Sequence, residues 1–122
     1  MPRRLKDYLI ILSAGLCLST AVPATQTAPE RYSLLSRAGI VQLDTQLNHT
    51  QRQWLQNKRE LVLGTSTPDY PPFDITASGH DYEGITADYA GILAKALALP
   101  VTVMRYPSRE AAIQALEDGK ID

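Results

Sequence analysis

Residues 66–83 (STPDYPPFDITASGHDYE) constrain the fold most, because Pro68, Pro71, Pro72 and Gly79 break any helix or long strand there. The chain must cross this stretch as a loop. Segments with regular patterns flank it. On its N-terminal side, Glu60–Thr65 (ELVLGT) reads as a short apolar strand buried on both faces, with Gly64 ending its regular part. On its C-terminal side, Thr86 is placed to cap a helix running to Leu99. Ile85, Tyr89, Ile92, Leu93, Ala96 and Leu97 fall at helical spacing on one face of it. Pro100 stops that helix, and Val101–Tyr106 (VTVMRY) is a β-branched strand. Ser108 is the expected N-cap of a further helix, with Glu110 in its first turn and Gly119 as its C-terminal stop. Ile121 opens a third strand.

Upstream, Asn48–Arg59 reads as a helix. Thr50 is the expected cap, and Gln53 follows at the capping-box spacing. Trp54 is expected to face a core while Lys58 reaches outward. Leu34-Leu35 and Ile40-Val41 are candidate short strands without a clear period. Residues 25–31 (TQTAPER) read as a polar lead. The βαβαβ order implies an α/β fold, a parallel sheet with flanking helices. Three strands are too few to bury such a sheet well, so the expectation is the first part of a longer protein, an incomplete domain. In isolation, the faces of Leu61, Leu63, Val101 and Val103 should lie uncovered.

The first 24 residues read as an address. Arg3, Arg4 and Lys6 form a positive start, Leu9–Leu18 an apolar core, and Val22-Pro23-Ala24 a cleavage site. The rival reading is an uncleaved anchor, but Leu9–Val22 is 14 residues long, against about 20 for a membrane-spanning helix. Leu16 before Cys17 is too large for a lipidation signal. Cleavage after Ala24 leaves 98 residues and removes Cys17, the only thiol. No intrachain disulfide or multi-thiolate zinc site can then form. The expected division is therefore a signal at 1–24, a lead segment at 25–49 and a partial domain at 50–122.

Composition and motifs narrow the function classes. The net charge of −1 comes with no basic stripe, which argues against a nucleic-acid partner. With 44% apolar and 20% charged residues, the chain is not compositionally disordered. No nucleophile elbow, phosphate-binding loop or zinc-protease motif occurs, so no catalytic site and no cofactor is expected. His80, Asp81, Asp74 and Glu83 lack tight ligand spacing and read as a solvated turn rather than a metal site.

Ligands of open α/β sheets sit beyond the carboxyl ends of the strands, where the 66–83 loop begins. Its prolines hold Tyr70 and Phe73 with little entropy left to lose. Both rings can either pack the loop onto the sheet or face a ligand.

Gly64-Thr65, Tyr70-Pro71-Pro72-Phe73, Tyr82-Glu83-Gly84-Ile85, Asp88-Tyr89 and Ala115–Asp122 (ALEDGKID) together resemble the start of the family 3 extracellular solute-binding proteins. These are periplasmic, bilobed Venus-flytrap domains of the type II periplasmic-binding-protein fold. The likeness covers about the last 60 residues. Trp54-Leu55 with Lys58, and Tyr106–Glu110, are similar to flytrap domains of BvgS-type sensor histidine kinases. The resemblance implies a periplasmic lobe that senses an amino acid or similar small solute, within a transmembrane kinase of a two-component system. A free binding protein of an amino-acid transporter is the alternative. Dehydratases and proteins with a peptidoglycan lyase domain are a third, enzymatic class. By resemblance, Tyr70 lines the cleft, Ser66 and Asp69 stand near a polar ligand contact, and Phe73 supports the loop. Gly84 allows close backbone approach, and Asp88 pins the loop. The segments that grip an amino-acid carboxylate in that family fall after Asp122, as does the second lobe.

Overall fold

The computed structural model describes residues 27–39 and 44–122. The expected signal at 1–24 with Cys17, and the candidate strand Ile40-Val41, lie outside the described residues. Seven elements follow in order: β1 (Glu30–Leu34), α1 (His49–Lys58), β2 (Leu61–Ser66), β3 (Asp81–Tyr82), α2 (Ile85–Leu97), β4 (Val101–Tyr106) and α3 (Arg109–Glu117). Among the described residues no helix is long and apolar enough to cross a membrane.

One four-stranded sheet has the order β2-β4-β1-β3. β2 and β4 run parallel over their full lengths, from Leu61 opposite Val101 to Ser66 opposite Tyr106. The expected parallel pair is present, but the sheet is mixed. β1 pairs antiparallel with β4, Glu30 opposite Arg105 through Ser33 opposite Thr102, and parallel with β3. The end of the polar lead thus enters the sheet, because alternating Tyr32 and Leu34 supply an apolar face to it. Tyr32 is buried, and Leu34 packs against the same cluster.

Strand alternation builds a core on each face. On one, Tyr32, Tyr82, Ala87 and Val103 are buried together, flanked by Leu34, Leu63 and Val101. On the other, Tyr106, Ala115 and Ile121 are buried, with Val62, Met104, Ala111 and Ala112 against them. Val103 is fully buried, and Leu63 and Val101 are partly covered, so this face is less bare than expected. β4 is the strand covered on both faces. β2 lies at the edge of the assigned sheet and is half-buried throughout.

Gly64 does not end β2. It pairs opposite Met104 in mid-strand, and the Ile121 side chain occupies the space a Cβ would need. Ile121 is buried, and Asp122 N–H donates to the Val62 carbonyl at 2.9 Å, so the chain enters alongside β2.

The helix ends differ from the sequence reading in instructive ways. The α1 cap is Asn48, not Thr50. Asn48 and Gln51 form the reciprocal capping box, each bond 2.9 Å long. No α1 residue is buried, and Trp54 is 57% exposed, beneath the Lys58 ammonium at 5.9 Å rather than in a core. In α2, Gly84 rather than Thr86 holds the cap position. The helix stops at Leu97, where Ala98 turns left-handed. Ile85, Tyr89 and Leu93 are exposed, while Ala87, Ala90 and Gly91 face inward. Small side chains let the helix approach its neighbours closely; a Cβ on Gly91 would strike Ser36. α3 follows the sequence reading: the Ser108 hydroxyl accepts from Ala111 N–H at 3.1 Å, and Gly119 has φ +69°.

Candidate functional site

The parallel pairing brings the carboxyl ends of β2 and β4 together at Ser66 and Tyr106. From these ends leave the 67–80 loop and the turn into α3. The loop folds back on itself through main-chain bonds. Tyr70 N–H donates to the Asp74 carbonyl at 3.0 Å, and the Tyr70 carbonyl accepts from Phe73 and Asp74 at 2.9 and 3.1 Å. Ile75 and Glu83 exchange bonds of 3.0 and 2.9 Å. The tip is then fastened to α2: the Pro72 and Phe73 carbonyls accept from Ile85 and Thr86 N–H, both at 3.1 Å. These carbonyls satisfy two of the free amides at the helix start, so no side-chain cap is needed.

Gly84 makes this fastening possible. Its φ is +109°, and a Cβ there would run into the Phe73 and Pro72 carbonyls. The close approach expected of Gly84 is therefore present, and the contact partner is the loop itself.

Tyr70 stands at the tip, 69% exposed, with its ring stacked on Phe73 at 6.1 Å between centroids. Phe73 is itself 46% exposed. Its ring is not under the loop as expected; it braces Tyr70, and its main chain fastens the loop.

Asp69 faces inward. Its Oδ2 accepts from Thr76 N–H and its Oδ1 from the Thr76 hydroxyl, both at 2.6 Å, with Arg105 3.5 Å away. Burial pulls this carboxyl upward, but the Thr76 bonds and the Arg105 charge outweigh it and hold the group below its usual value. Both oxygens are engaged, so Asp69 closes the base of the loop rather than reaching outward. Asp88 does not touch the loop with its side chain. Its Oδ1 accepts from Arg37 N–H at 2.6 Å and so pins the segment after β1.

Ser66 lines an open cleft of about 330 Å³ between β2 and α3. Thr65, Asp74 and Arg109 add polar groups to its lining, and Leu63, Ile113, Leu116 and Ile121 add apolar ones. Ser66 lines this cleft; Tyr70 does not, and joins it only through its main-chain bonds to Asp74, while Asp69 and Asp88 lie outside the lining. One residue of the loop, Thr76, is missed in the sequence, and another, Asp74, reads there as part of a solvated turn. Asp74 accepts the Tyr82 phenol hydrogen. Burial and then this bond push the Tyr82 phenol far above its ordinary value. Thr76, buried at 6% exposure, is the partner that orients Asp69. Its only sequence signal was a hydroxyl seven residues from an acid, too common to read. Among the described residues no group of three or more His, Cys, Asp or Glu is arranged to hold a metal.

A parallel β2–β4 pair, helices on both faces and a braced aromatic loop at the strand ends are features of the opening part of a periplasmic flytrap lobe. The chain is similar to the BvgS and EvgS sensor proteins. It is 41% identical to the virulence sensor protein BvgS of Bordetella pertussis over 123 residues, covering 99% of this chain and 10% of that protein. It is 29% identical to the sensor protein EvgS of Escherichia coli O157:H7 over 115 residues, 94% of this chain and 10% of that one. The crystal structure of the B. pertussis BvgS periplasmic domain superposes with a TM-score of 0.72 at 44% identity, covering 76% of this chain and 18% of that chain. The chain therefore spans about a tenth of the length of these curated relatives. No protein-family model matches the sequence. The likeness places this segment in the periplasm.

Proposed function

We propose that the chain is the opening part of a solute-sensing lobe in a transmembrane sensor histidine kinase. In this reading residues 1–24 direct export, and Tyr70 and Ser66 contact an amino acid or a similarly small polar solute. Solute binding favours lobe closure, and the difference in affinity between open and closed states drives the signal. The observation that carries the reading is Tyr70: a 69% exposed ring, braced by Phe73, beyond the carboxyl end of β2. A loop built only to pack would bury that ring. Relatives that are sensor proteins, and about ten times the length of this chain, favour the sensor over a free transport protein.

The test is a dose–response panel of the common amino acids on the full-length parent, reading kinase output. Covering one aromatic face contributes about 1–3 kcal/mol, so Tyr70→Ala should move a response midpoint by about 5- to 150-fold. An unchanged midpoint and unchanged basal output in both Tyr70→Ala and Ser66→Ala would sink this assignment.

A further inference from the structure

Arg105 sits where the sheet meets the loop. In the sheet it lies opposite Glu30 of β1 and beside Thr65 of β2. Its side chain is 22% exposed and lies between two carboxylates. One guanidinium nitrogen is 3.6 Å from Glu30, and the other is 3.5 Å from Asp69 Oδ1. Its Nε is buried and has no hydrogen-bond partner. A settled guanidinium–carboxylate pair closes to about 2.7–2.9 Å, often through two parallel bonds. Arg105 has closed on neither acid.

Both acids are already engaged by other donors, at the very oxygens that face Arg105. The Tyr32 hydroxyl donates to Glu30 at 3.1 Å, and Thr76 holds Asp69 through its two bonds of 2.6 Å. Separate guanidinium nitrogens face the two acids, and with both acids held where they are, the side chain shortens one contact by lengthening the other. A shift of β1 away from it lets it approach Asp69, and a shift of β1 towards it draws it off.

We infer that Arg105 is a positioning residue that sets the pose of the Asp69–Tyr70 loop in competition with Glu30, coupling the loop to strand β1. It acts through Asp69 and touches no solute. The inference rests on reading that loop as the solute-bearing one, and it adds how the loop is regulated: displacement of β1 reaches Tyr70 through one guanidinium.

The experiment is amide hydrogen exchange at Thr76 in the full-length parent, with no solute added. The Thr76 amide reports directly on its bond to Asp69. Glu30 is 58% exposed, so Glu30→Gln leaves the fold intact while freeing Arg105 to close on Asp69. Thr76 exchange should slow by about threefold, in line with a partly exposed charge pair. Arg105→Met should speed exchange and abolish the effect of Glu30→Gln, whereas Arg105→Lys should keep it. Unchanged Thr76 exchange in Glu30→Gln overturns the inference. So does an equal effect of Glu30→Gln with Met at position 105. If Arg105→Met does not fold, Glu30→Gln alone and in the Arg105→Lys background decides. Because no solute is present, the outcome is independent of whether Tyr70→Ala alters signalling.

Discussion

The rings of Tyr70 and Phe73 stack 6.1 Å apart with 25° between their planes, and both remain partly in solvent. The pair is thus a surface unit, and the contribution of Phe73 to stability comes mainly from its main chain. A buried Phe cut to Ala costs about 3–5 kcal/mol. With Phe73 46% exposed, Phe73→Ala should cost about 1–2 kcal/mol, the part of that burial still present. Tyr70→Ala should cost under about 1 kcal/mol. Denaturant melts of the parent's periplasmic region check both; a loss of core-Phe size at Phe73 would return its ring to beneath the loop.

Gly84 and Gly79 separate two reasons for glycine. Both have positive φ, +109° and +81°, but only Gly84 lacks space for a Cβ. Gly79→Ala should cost about 1 kcal/mol, the strain of a left-handed alanine. Gly84→Ala adds a clash with the Pro72 and Phe73 carbonyls and should cost more than about 2 kcal/mol, because the loop must detach from α2. Equal losses in the two melts would mean that the loop yields freely.

Asp69 should shape the acid limb of stability. Its folded value lies below its usual 3.8. Such a carboxylate stabilises fully above its unfolded value, and that contribution fades as the pH falls through the folded one. Asp69→Asn should therefore lower stability at neutral pH and lose less than the parent on acidification below about pH 4. Parallel acid limbs for the two proteins would show that the Thr76 and Arg105 contacts do not favour the charged form.

Export gives a prediction independent of the fold. N-terminal sequencing of the parent from the membrane fraction should begin near Thr25, as small residues precede that bond and the apolar stretch is short for a span. A product that begins at the initiator methionine would make residues 1–24 an anchor.

What could be read from the sequence was local. Strand β4 and helix α3 carry their own boundaries, in β-branched residues, Ser108 and Gly119, and both appear where the pattern puts them. The loop was marked by its prolines. What could not be read depends on partners distant along the chain. β1 is a strand because β4 and β3 lie beside it, and Tyr32 meets Tyr82 and Val103 only in the folded chain. Asp69 is expected near a ligand contact and Asp88 is expected to pin the loop; Thr76 takes the first and Arg37 the second. Trp54 suggested a core by residue type alone, and type does not say what covers it.

Helix α2 offers the sharpest reversal, and a test of it. Three large apolar residues of its 3.6-residue pattern point outward, Ile85, Tyr89 at 67% and Leu93 at 52% exposed, while Ile92 and Leu97 are half-buried and Ala87 is fully buried among Tyr32, Tyr82 and Val103. A helix seated on small side chains lies close to its sheet, so added volume has nowhere to go. Ala87→Leu should therefore destabilise by about 1–3 kcal/mol through overpacking. Leu93→Ala removes a half-exposed side chain, leaves no cavity, and improves helix propensity slightly, so it should cost under about 1 kcal/mol. If the sequence pattern had named the packed face correctly, the order would invert, with Leu93→Ala costing about 2–5 kcal/mol as a core truncation. Melting curves of the two variants in the parent's periplasmic region distinguish these outcomes. A core-sized loss at Leu93 beside a tolerated leucine at Ala87 would mean that α2 is seated on its other face.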